Sequence, residues 1–365
     1  VTDVLTRRAR NRALLARQLL LERAPMGVLD AVEHLVGLQA QAPHPPYTGL
    51  WSRLRDFAFT DLSDLLADRA VVRIALMRST IHLVTARDCL PLRSVLQPGL
   101  DRAFRGGHGR AFEGVDQDAI AEAGERLLAE TPMTFAELGR ALALRWPDLD
   151  QDRLAALVRT RVPLVQVTPR GLWGRSGQAR HTPAATWLGQ TPAPASTVED
   201  LAVRYLAAFG PASPADAQTW SGLTGLREVF DRLDLRAFHD EDGRALYDLP
   251  DAPRPDPDTP APVRLVAGFD NLILSHAVRD HVIPDRHRAT VVMGTGNGIV
   301  RPTVLLDGTV EAMWSLDRGK RAATVTVEPF GTLTARARRA VETEAHALMA
   351  ATDPGLAHEF RVTEP

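Results

Sequence analysis

The chain has 365 residues, 45% apolar and 24% charged, close to the average of globular proteins and enough for one or more full cores. Disorder, a collagen-like fibre and a small stapled scaffold are excluded, and no apolar run approaches the roughly 18 residues that a bilayer crossing needs. The net charge of −2 rules out a uniformly basic chain, and the single cysteine, Cys89, rules out an internal disulfide and a multi-cysteine metal site. Cys89 reads as a small buried apolar residue. Val1 to Arg10 lacks the apolar stretch of a secretory signal, so a cytoplasmic protein is expected.

In chain order, Leu5 to Glu22 is predicted to be a helix, and Val28 to Gln39 a second, with Val32, Leu35 and Val36 on one buried stripe. A third helix is predicted near Asp61 to Arg69. Val71 to Met77 and Thr80 to Thr85 then read as a hairpin turning at Arg78 and Ser79. Helices followed by a hairpin describe a winged helix-turn-helix. The pattern recurs: a capping box, Thr134 to Glu137, opens one helix, and Asp152 to Arg161 forms another that Pro163 stops. Strands Leu164 to Thr168 and Gly171 to Arg175, joined through Pro169 and Arg170, form the second wing. Trp173 reads as part of that wing's core. A third helical unit, Val198 to Leu233, precedes strands Leu235 to His239 and Arg244 to Leu249, which turn at Glu241 to Gly243.

Asp251 to Pro262 carries five prolines in twelve residues and reads as a linker. Beyond it strands are predicted at Val263 to Ala267, Ala289 to Met293, Gly298 to Val300, Val304 to Leu306, Thr309 to Trp314 and Ala322 to Val327. Turns fall at Gly294 to Gly298 and at Asp307-Gly308, and Ala335 to Ala350 is a closing helix. The fold class expected is α+β: three tandem winged-helix units at residues 1–112, 113–195 and 196–250, the linker at 251–262, and a β-barrel with a C-terminal helix at 263–365.

The near-neutral balance conceals an asymmetry. Residues 153–198 hold six arginines and no Asp or Glu, and Arg7, Arg8, Arg10, Arg12 and Arg17 form a second basic cluster. Asp231 to Asp258 holds nine acidic residues against four arginines. Such faces are ordinarily solvated surface, but the acid-free segment is also what a polyanion would select.

Enzyme signatures of several kinds are absent. There is no GxxxxGK[ST] loop, Gly294, Gly296 and Gly298 fail GxGxxG because Ile299 takes the third glycine's place, and Gly174 to Gly177 is one residue short of GxSxG. His276, His281 and His287 lie near Asp270, Asp280 and Asp285 without a recognised metal spacing, so no metal is expected there. Lys320 is the only lysine among 43 basic residues, so Schiff-base chemistry would fall to it or to a terminal amine.

Leu38-Gln39-Ala40-Gln41-Ala42-Pro43 is the local oddity. The helical phase from Val32 puts Gln39 on the buried stripe, and Pro43 disfavours helix at Ala42, so the helix should unwind around Gln41. Extended residues two apart share a face, which would let both amides converge. By spacing alone, one satisfied interior glutamine and one helix-terminal glutamine is the plainer reading.

Four segments, Leu38 to Gln41, Arg78 to Leu83, Tyr205 to Ser213 and Phe269 to His276, occur in an order and over a length that resemble the AlkZ-type DNA glycosylases, bacterial winged-helix proteins linked to self-resistance against DNA-alkylating antibiotics. The resemblance implies three winged helices and a β-barrel around a concave DNA channel. It also implies a catalytic glutamine–apolar–glutamine signature, matched by Gln39-Ala40-Gln41. Relatives with an acid at the second position have a different preference, so Gln41 aligns this chain with the crosslink-directed branch.

The expected activity is hydrolysis of the N-glycosidic bond of cationic N7-alkylated guanine, including interstrand crosslinks, by Gln39 and Gln41. Two uncharged amides suit a leaving base that already bears positive charge, since they can orient a water without a strong acid. The expected partner is double-stranded DNA bearing an alkylated purine, met by a monomer without cofactor, metal or membrane. Arg153, Arg159, Arg170, Arg175 and Arg180 are the expected DNA-binding residues. The rival expectation is a winged-helix transcription regulator without catalysis, which would prefer a sequence over damage.

Overall fold

Helices and hairpins alternate along the computed structural model, which describes residues 3–189, 196–293 and 299–364. The first stretch runs β1 (Val4–Leu5), α1 (Arg7–Arg17), α2 (Val28–His34), β2 (Leu38–Gln39), α3 (Pro45–Trp51), α4 (Phe59–Ala67), β3 (Val71–Ala75), β4 (Ile81–Thr85) and the long α5 (Ala86–His108). Next come α6 (Gln117–Glu130), α7 (Phe135–Ala143), α8 (Gln151–Arg161), β5 (Leu164–Gln166), β6 (His181–Pro183) and α9 (Ala184–Leu188). A third group holds α10 (Val198–Phe209), α11 (Pro214–Ser221), α12 (Leu226–Arg232), β7 (Arg236–Asp240) and β8 (Ala245–Asp248). The last part contains β9 (Arg264–Val266), α13 (Asn271–Leu274), α14 (Asp285–Val291), β10 (Val292–Met293), β11 (Ile299–Val300), β12 (Thr303–Leu306), β13 (Thr309–Arg318), β14 (Ala322–Pro329), α15 (Ala335–Thr352) and β15 (Ala357–Val362).

Local chemistry explains most boundaries. Thr6, Thr85, Thr134, Ser213 and Thr334 each accept a backbone N–H at a helix start, which satisfies donors that have no partner within the helix. The Thr134 capping box is reciprocal, with the Glu137 carboxylate accepting from the Thr134 N–H at 2.8 Å. Asp307 and Gly308 both take positive φ (46° and 84°) between β12 and β13, the geometry of a tight hairpin turn.

Four expectations need correction. Helix α2 stops at His34, five residues before Gln39, because Val36 and Gly37 turn left-handed (φ 54° and 84°); Gln39 therefore lies on a strand. The second strand of the middle hairpin is His181–Pro183, not Gly171 to Arg175. Gly171 and Gly174 take positive φ, and the intervening loop folds over α3 and α4. Ala289 to Val291 ends helix α14 and only Val292–Met293 is extended. Finally, β15, β14, β13, β12 and β9 form an open five-stranded sheet in that order. Among the described residues its edge strands β15 and β9 do not pair, so no closed barrel forms. The expected Gly294 to Gly298 turn lies outside the described residues.

Sheets and cores tie distant segments together. The sheet β2-β4-β3-β5-β6 crosses from the first helix group to the second through antiparallel β3 and β5. Strand β1 pairs in parallel with β7. Residues 104–164 have a core of their own around Leu128, Leu138 and Leu157. In contrast, Val32, Leu50 and Leu62 share one apolar cluster with Trp314, Val325 and Leu348 of the C-terminal sheet and α15. The proline-rich segment has no regular structure yet is docked, since Arg17, Arg8 and Arg12 donate to the carbonyls of Pro253, Pro257 and Thr259.

The charge asymmetry finds a structural account here. On α1 the buried Arg10 and Arg17 pair with Asp240 and Asp248 of the acidic segment, and Arg8 and Arg12 pair with Asp307. Part of the basic cluster and part of the acidic stretch thus neutralise each other, Arg10 with Asp240 and Arg17 with Asp248 inside the fold.

Candidate active site

The β3–β4 hairpin clamps the Gln39-Ala40-Gln41 triplet from one side. Gln39 and His82 are partners in the β2–β4 ladder, and the Ala40 N–H donates to the Ile81 carbonyl at 2.7 Å. The Ala40 carbonyl turns instead to the buried Arg73 of β3, whose Nη2 donates at 2.6 Å. The Ile81 N–H, left without that ladder acceptor, donates to Gln41 Oε1 at 3.1 Å. Arg78, in the turn between the strands, donates through Nη2 to Gln39 Oε1 at 2.7 Å. Gln39 is 4% exposed and Gln41 lies open at the surface.

These partners fix which end of each amide points where. A guanidinium and a backbone N–H can only donate, so both carbonyl oxygens must face the hairpin. Among the described residues neither Nε2 makes a hydrogen bond. Two amides two residues apart are thus each held through the oxygen by the same hairpin, with N–H donors and one lone pair on each oxygen unused among the described residues.

The electrostatics around the triplet are cationic. Burial lowers Arg78 to about 10, aided by Arg279, and lowers Arg73 to about 10, aided by Arg170; both stay charged at neutral pH. His82, directly across from Gln39, is pushed down to about 3 by burial and then by Arg78. The ring is therefore neutral at neutral pH, and its Nδ1–H, donating to the Thr80 carbonyl at 3.1 Å, sets the tautomer. Gln39 also borders a narrow cavity of about 10 Å³, room for about one water, together with Leu38, Arg53, Asp270 and Asn271. Three residues beyond Gln41, His44 lines an open cleft of about 440 Å³ with Trp173, Arg175, Ser176, Arg318 and Asp353.

The expected DNA-binding arginines divide into two sets. Arg153 and Arg175 are exposed, and among the described residues neither side chain has an ion-pair partner. Arg159 donates to Ser79 Oγ at 3.0 Å and to the Ser79 carbonyl at 2.5 Å, and Arg170 donates to the Gly177 carbonyl at 2.9 Å. Arg180 pairs with Glu137 at 2.8 Å. Trp173 is half-buried against Phe59 and Tyr47 (ring centroids 4.4 and 5.1 Å), with the Arg318 guanidinium 5.4 Å from its ring. It fills a core, but that of α3 and α4 rather than the wing's own.

Sequence reasoning missed Arg73 and Arg78 as the residues that hold the triplet. The available signal was an Arg-Ser turn without glycine or asparagine, where left-handed geometry ordinarily wants one. Cys89 is buried, with its thiol raised to about 12 by burial. Lys320 is exposed in the β13–β14 turn. Among the described residues no group of three His, Cys, Asp or Glu side chains is placed to hold a metal, and no helix is long and apolar enough to cross a membrane.

Comparison with known proteins bears on the whole of this arrangement. The model of the DNA glycosylase AlkZ-like family matches residues 32–351. The interstrand DNA cross-link repair glycosylase of Streptomyces sahachiroi is 26% identical over 328 residues, covering 82% of this chain and 85% of that protein. The solved structure of Streptomyces sahachiroi DNA glycosylase AlkZ matches with a TM-score of 0.80 at 22% identity, over 99% of this chain and 100% of that one, which establishes the likeness of fold. With nearly nine-tenths of its length inside the family model, the chain belongs to the DNA glycosylase AlkZ-like family.

Proposed function

We propose that this protein hydrolyses the N-glycosidic bond of cationic N7-alkylated guanine in duplex DNA, and that it unhooks interstrand crosslinks built on such adducts in DNA repair and self-resistance to an alkylating antibiotic. The observation that carries the reading is the anchoring of Gln39 and Gln41 on one hairpin, each through its carbonyl oxygen and, among the described residues, each without a partner for its N–H₂ group. Family membership and the crosslink-repair name of the Streptomyces relative support the substrate class.

The chemistry asks little of the protein beyond geometry. As the C1′–N9 bond breaks, its electron pair neutralises the alkylated base, so no strong acid is needed. Water then bonds to C1′ of the oxocarbenium-like sugar and gives up a proton to solvent. Gln39 and Gln41 hold that water by donating N–H and by accepting at the remaining lone pair of each oxygen, in a site arranged before the substrate arrives. The three helix–hairpin units, 1–112, 113–195 and 196–250, serve as winged helices that line a DNA channel in this reading. Arg153 and Arg175 contact phosphate there.

The test is to incubate the protein with duplex DNA containing N7-methylguanine and measure free base. Release of the modified base from damaged DNA, independent of flanking sequence, is the expected result. Tight binding to one sequence without release would overturn the reading in favour of a regulator.

A further inference from the structure

Two successive residues of the hairpin turn, Arg78 and Ser79, take left-handed φ of 54° and 59°. Neither is glycine, asparagine or aspartate, so each holds a strained conformation that persists only where its surroundings impose it. The surroundings are specific. Arg159, from α8, donates to both the Ser79 hydroxyl and the Ser79 carbonyl. Arg78 spans in the opposite direction, with Nη1 donating to the Trp220 carbonyl at the end of α11 and Nη2 to Gln39 Oε1. At the end of α11, Gly222 packs against the Arg78 backbone; a Cβ there would lie 3.3 Å from the Arg78 nitrogen. The turn is held by the second helix group on one side and the third on the other, and what it presents to the triplet is one guanidinium.

We propose that Arg78 is the positioning residue of Gln39, and that its strained turn, pinned by Arg159, exists to deliver it. An unanchored glutamine amide can rotate by half a turn and exchange its oxygen for its nitrogen at little cost, since the two ends have nearly the same shape. A donor-only partner 2.7 Å from the oxygen removes that freedom. Gln39 Nε2 then faces away from the hairpin in every molecule, rather than in a fraction of them. Arg159, chosen from the sequence as a phosphate contact, acts instead on the turn. This inference rests on the glycosylase reading for its kinetics, but not for the geometry it asserts.

The experiment compares Arg78→Ala, Arg78→Lys, Gln39→Ala and the Arg78→Ala/Gln39→Ala pair, using duplex DNA with N7-methylguanine under single-turnover conditions. Arg78→Ala should slow release about tenfold at saturating enzyme, the scale of one lost hydrogen bond, while DNA affinity stays within about twofold. The double variant should be no slower than Gln39→Ala, because a positioning residue has nothing left to position. Arg78→Lys, which keeps one donor and the charge, should fall between wild type and Arg78→Ala and covers the case in which the alanine variant does not fold. Losses that add in the double variant, or a weakened affinity with unchanged rate at saturation, would overturn the proposal and make Arg78 a structural or phosphate-binding residue. If the wild-type protein releases no base, the glycosylase reading fails alone. A neutron crystal structure of Arg78→Lys or Arg78→Ala, which locates the amide hydrogens and so tells N–H₂ from oxygen, then decides this one, by whether the Gln39 amide has turned.

Discussion

Arg53 and Asp270, 217 residues apart in sequence, meet in a two-pronged ion pair at 2.8 and 2.7 Å, with each side chain only 1% exposed. Arg53 also donates to Gln18 Oε1, whose own amide reaches the Ala208 carbonyl, so one network joins α1, α3, α10 and the segment that opens α13. Arg53→Ala would strand a buried carboxylate, and a loss of roughly 3 to 5 kcal/mol is expected. Replacing both partners, as in Arg53→Met/Asp270→Asn, should recover a good part of it. Denaturant midpoints of the two variants check this; a single variant as stable as wild type would show that the pair holds nothing together.

Gln39→Ala and Gln41→Ala should each reduce release of N7-methylguanine, by about 100-fold on the scale of removing one preorganised hydrogen-bonding group, with DNA binding retained. Their stabilities should differ. Gln39 is buried and its loss leaves the Arg78 donor unmet, a cost of about 1 to 3 kcal/mol, whereas Gln41 is exposed, so water can replace its oxygen at the Ile81 N–H and its loss should cost less. Equal release rates in all three proteins would dismiss the pair as catalysts.

Borohydride reduction during turnover should trap no protein–DNA adduct, since a held water and not an amine attacks C1′. A strong adduct that vanishes in Lys320→Met would replace the hydrolytic scheme with a covalent one.

Buried histidines, three of them with large downward shifts, should lower stability in acid. His82 and His181 are lowered to about 3 and about 4, each mainly by burial, and His276 is lowered by burial and by His281. Each ring is neutral in the fold but takes a proton in the unfolded chain below about 6.5. Above that pH neither state binds the proton and these groups contribute nothing to pH dependence. Below it the unfolded state gains, and stability falls steadily toward the folded values near 3 to 4. At pH 5 the loss is at most roughly 2 kcal/mol per ring. Thermal unfolding between pH 7 and 5 measures it, and His181→Phe, which keeps the stack on Phe135, should flatten part of the slope.

Arg153→Ala and Arg175→Ala should weaken DNA binding and each reduce the dependence of log K on log salt by about 0.9, the effect of one phosphate contact. Arg180→Ala, already paired with Glu137, should change that slope much less. Titrations at several salt concentrations distinguish the three, and identical slopes would place the phosphate contacts elsewhere.

Much of the fold was readable because its signals are local. The Thr134 capping box, the Asp307-Gly308 turn and the helical periodicity of α8 and α15 each depend on residues a few positions apart. The misreadings have a different origin. Val36 is β-branched and ends a helix in left-handed geometry, and the stop signal beside it, Gly37, is outweighed by the apolar periodicity from Val32 to Val36. Residues 171–175 look like a strand, but Trp173 is recruited by Tyr47 and Phe59, more than a hundred positions away. The burial of Gln39 was anticipated for a helical stripe and arises from a strand instead. Its partner Arg78 is easily passed over, because an arginine in a hairpin turn is ordinarily solvated and the missing glycine or asparagine at that turn is its one local sign. The charge of α1 likewise concealed its purpose, since only the folded chain brings Arg10 and Arg17 to Asp240 and Asp248.

The apolar cluster shared by Val32, Leu50 and Leu62 with Trp314, Val325 and Leu348 also constrains how the polypeptide folds. The early helices cover one another and the β3–β4 hairpin first, but the part of their apolar surface that meets the C-terminal sheet and α15 stays open until that distant segment is in place, so these contacts of high sequence separation close late in folding.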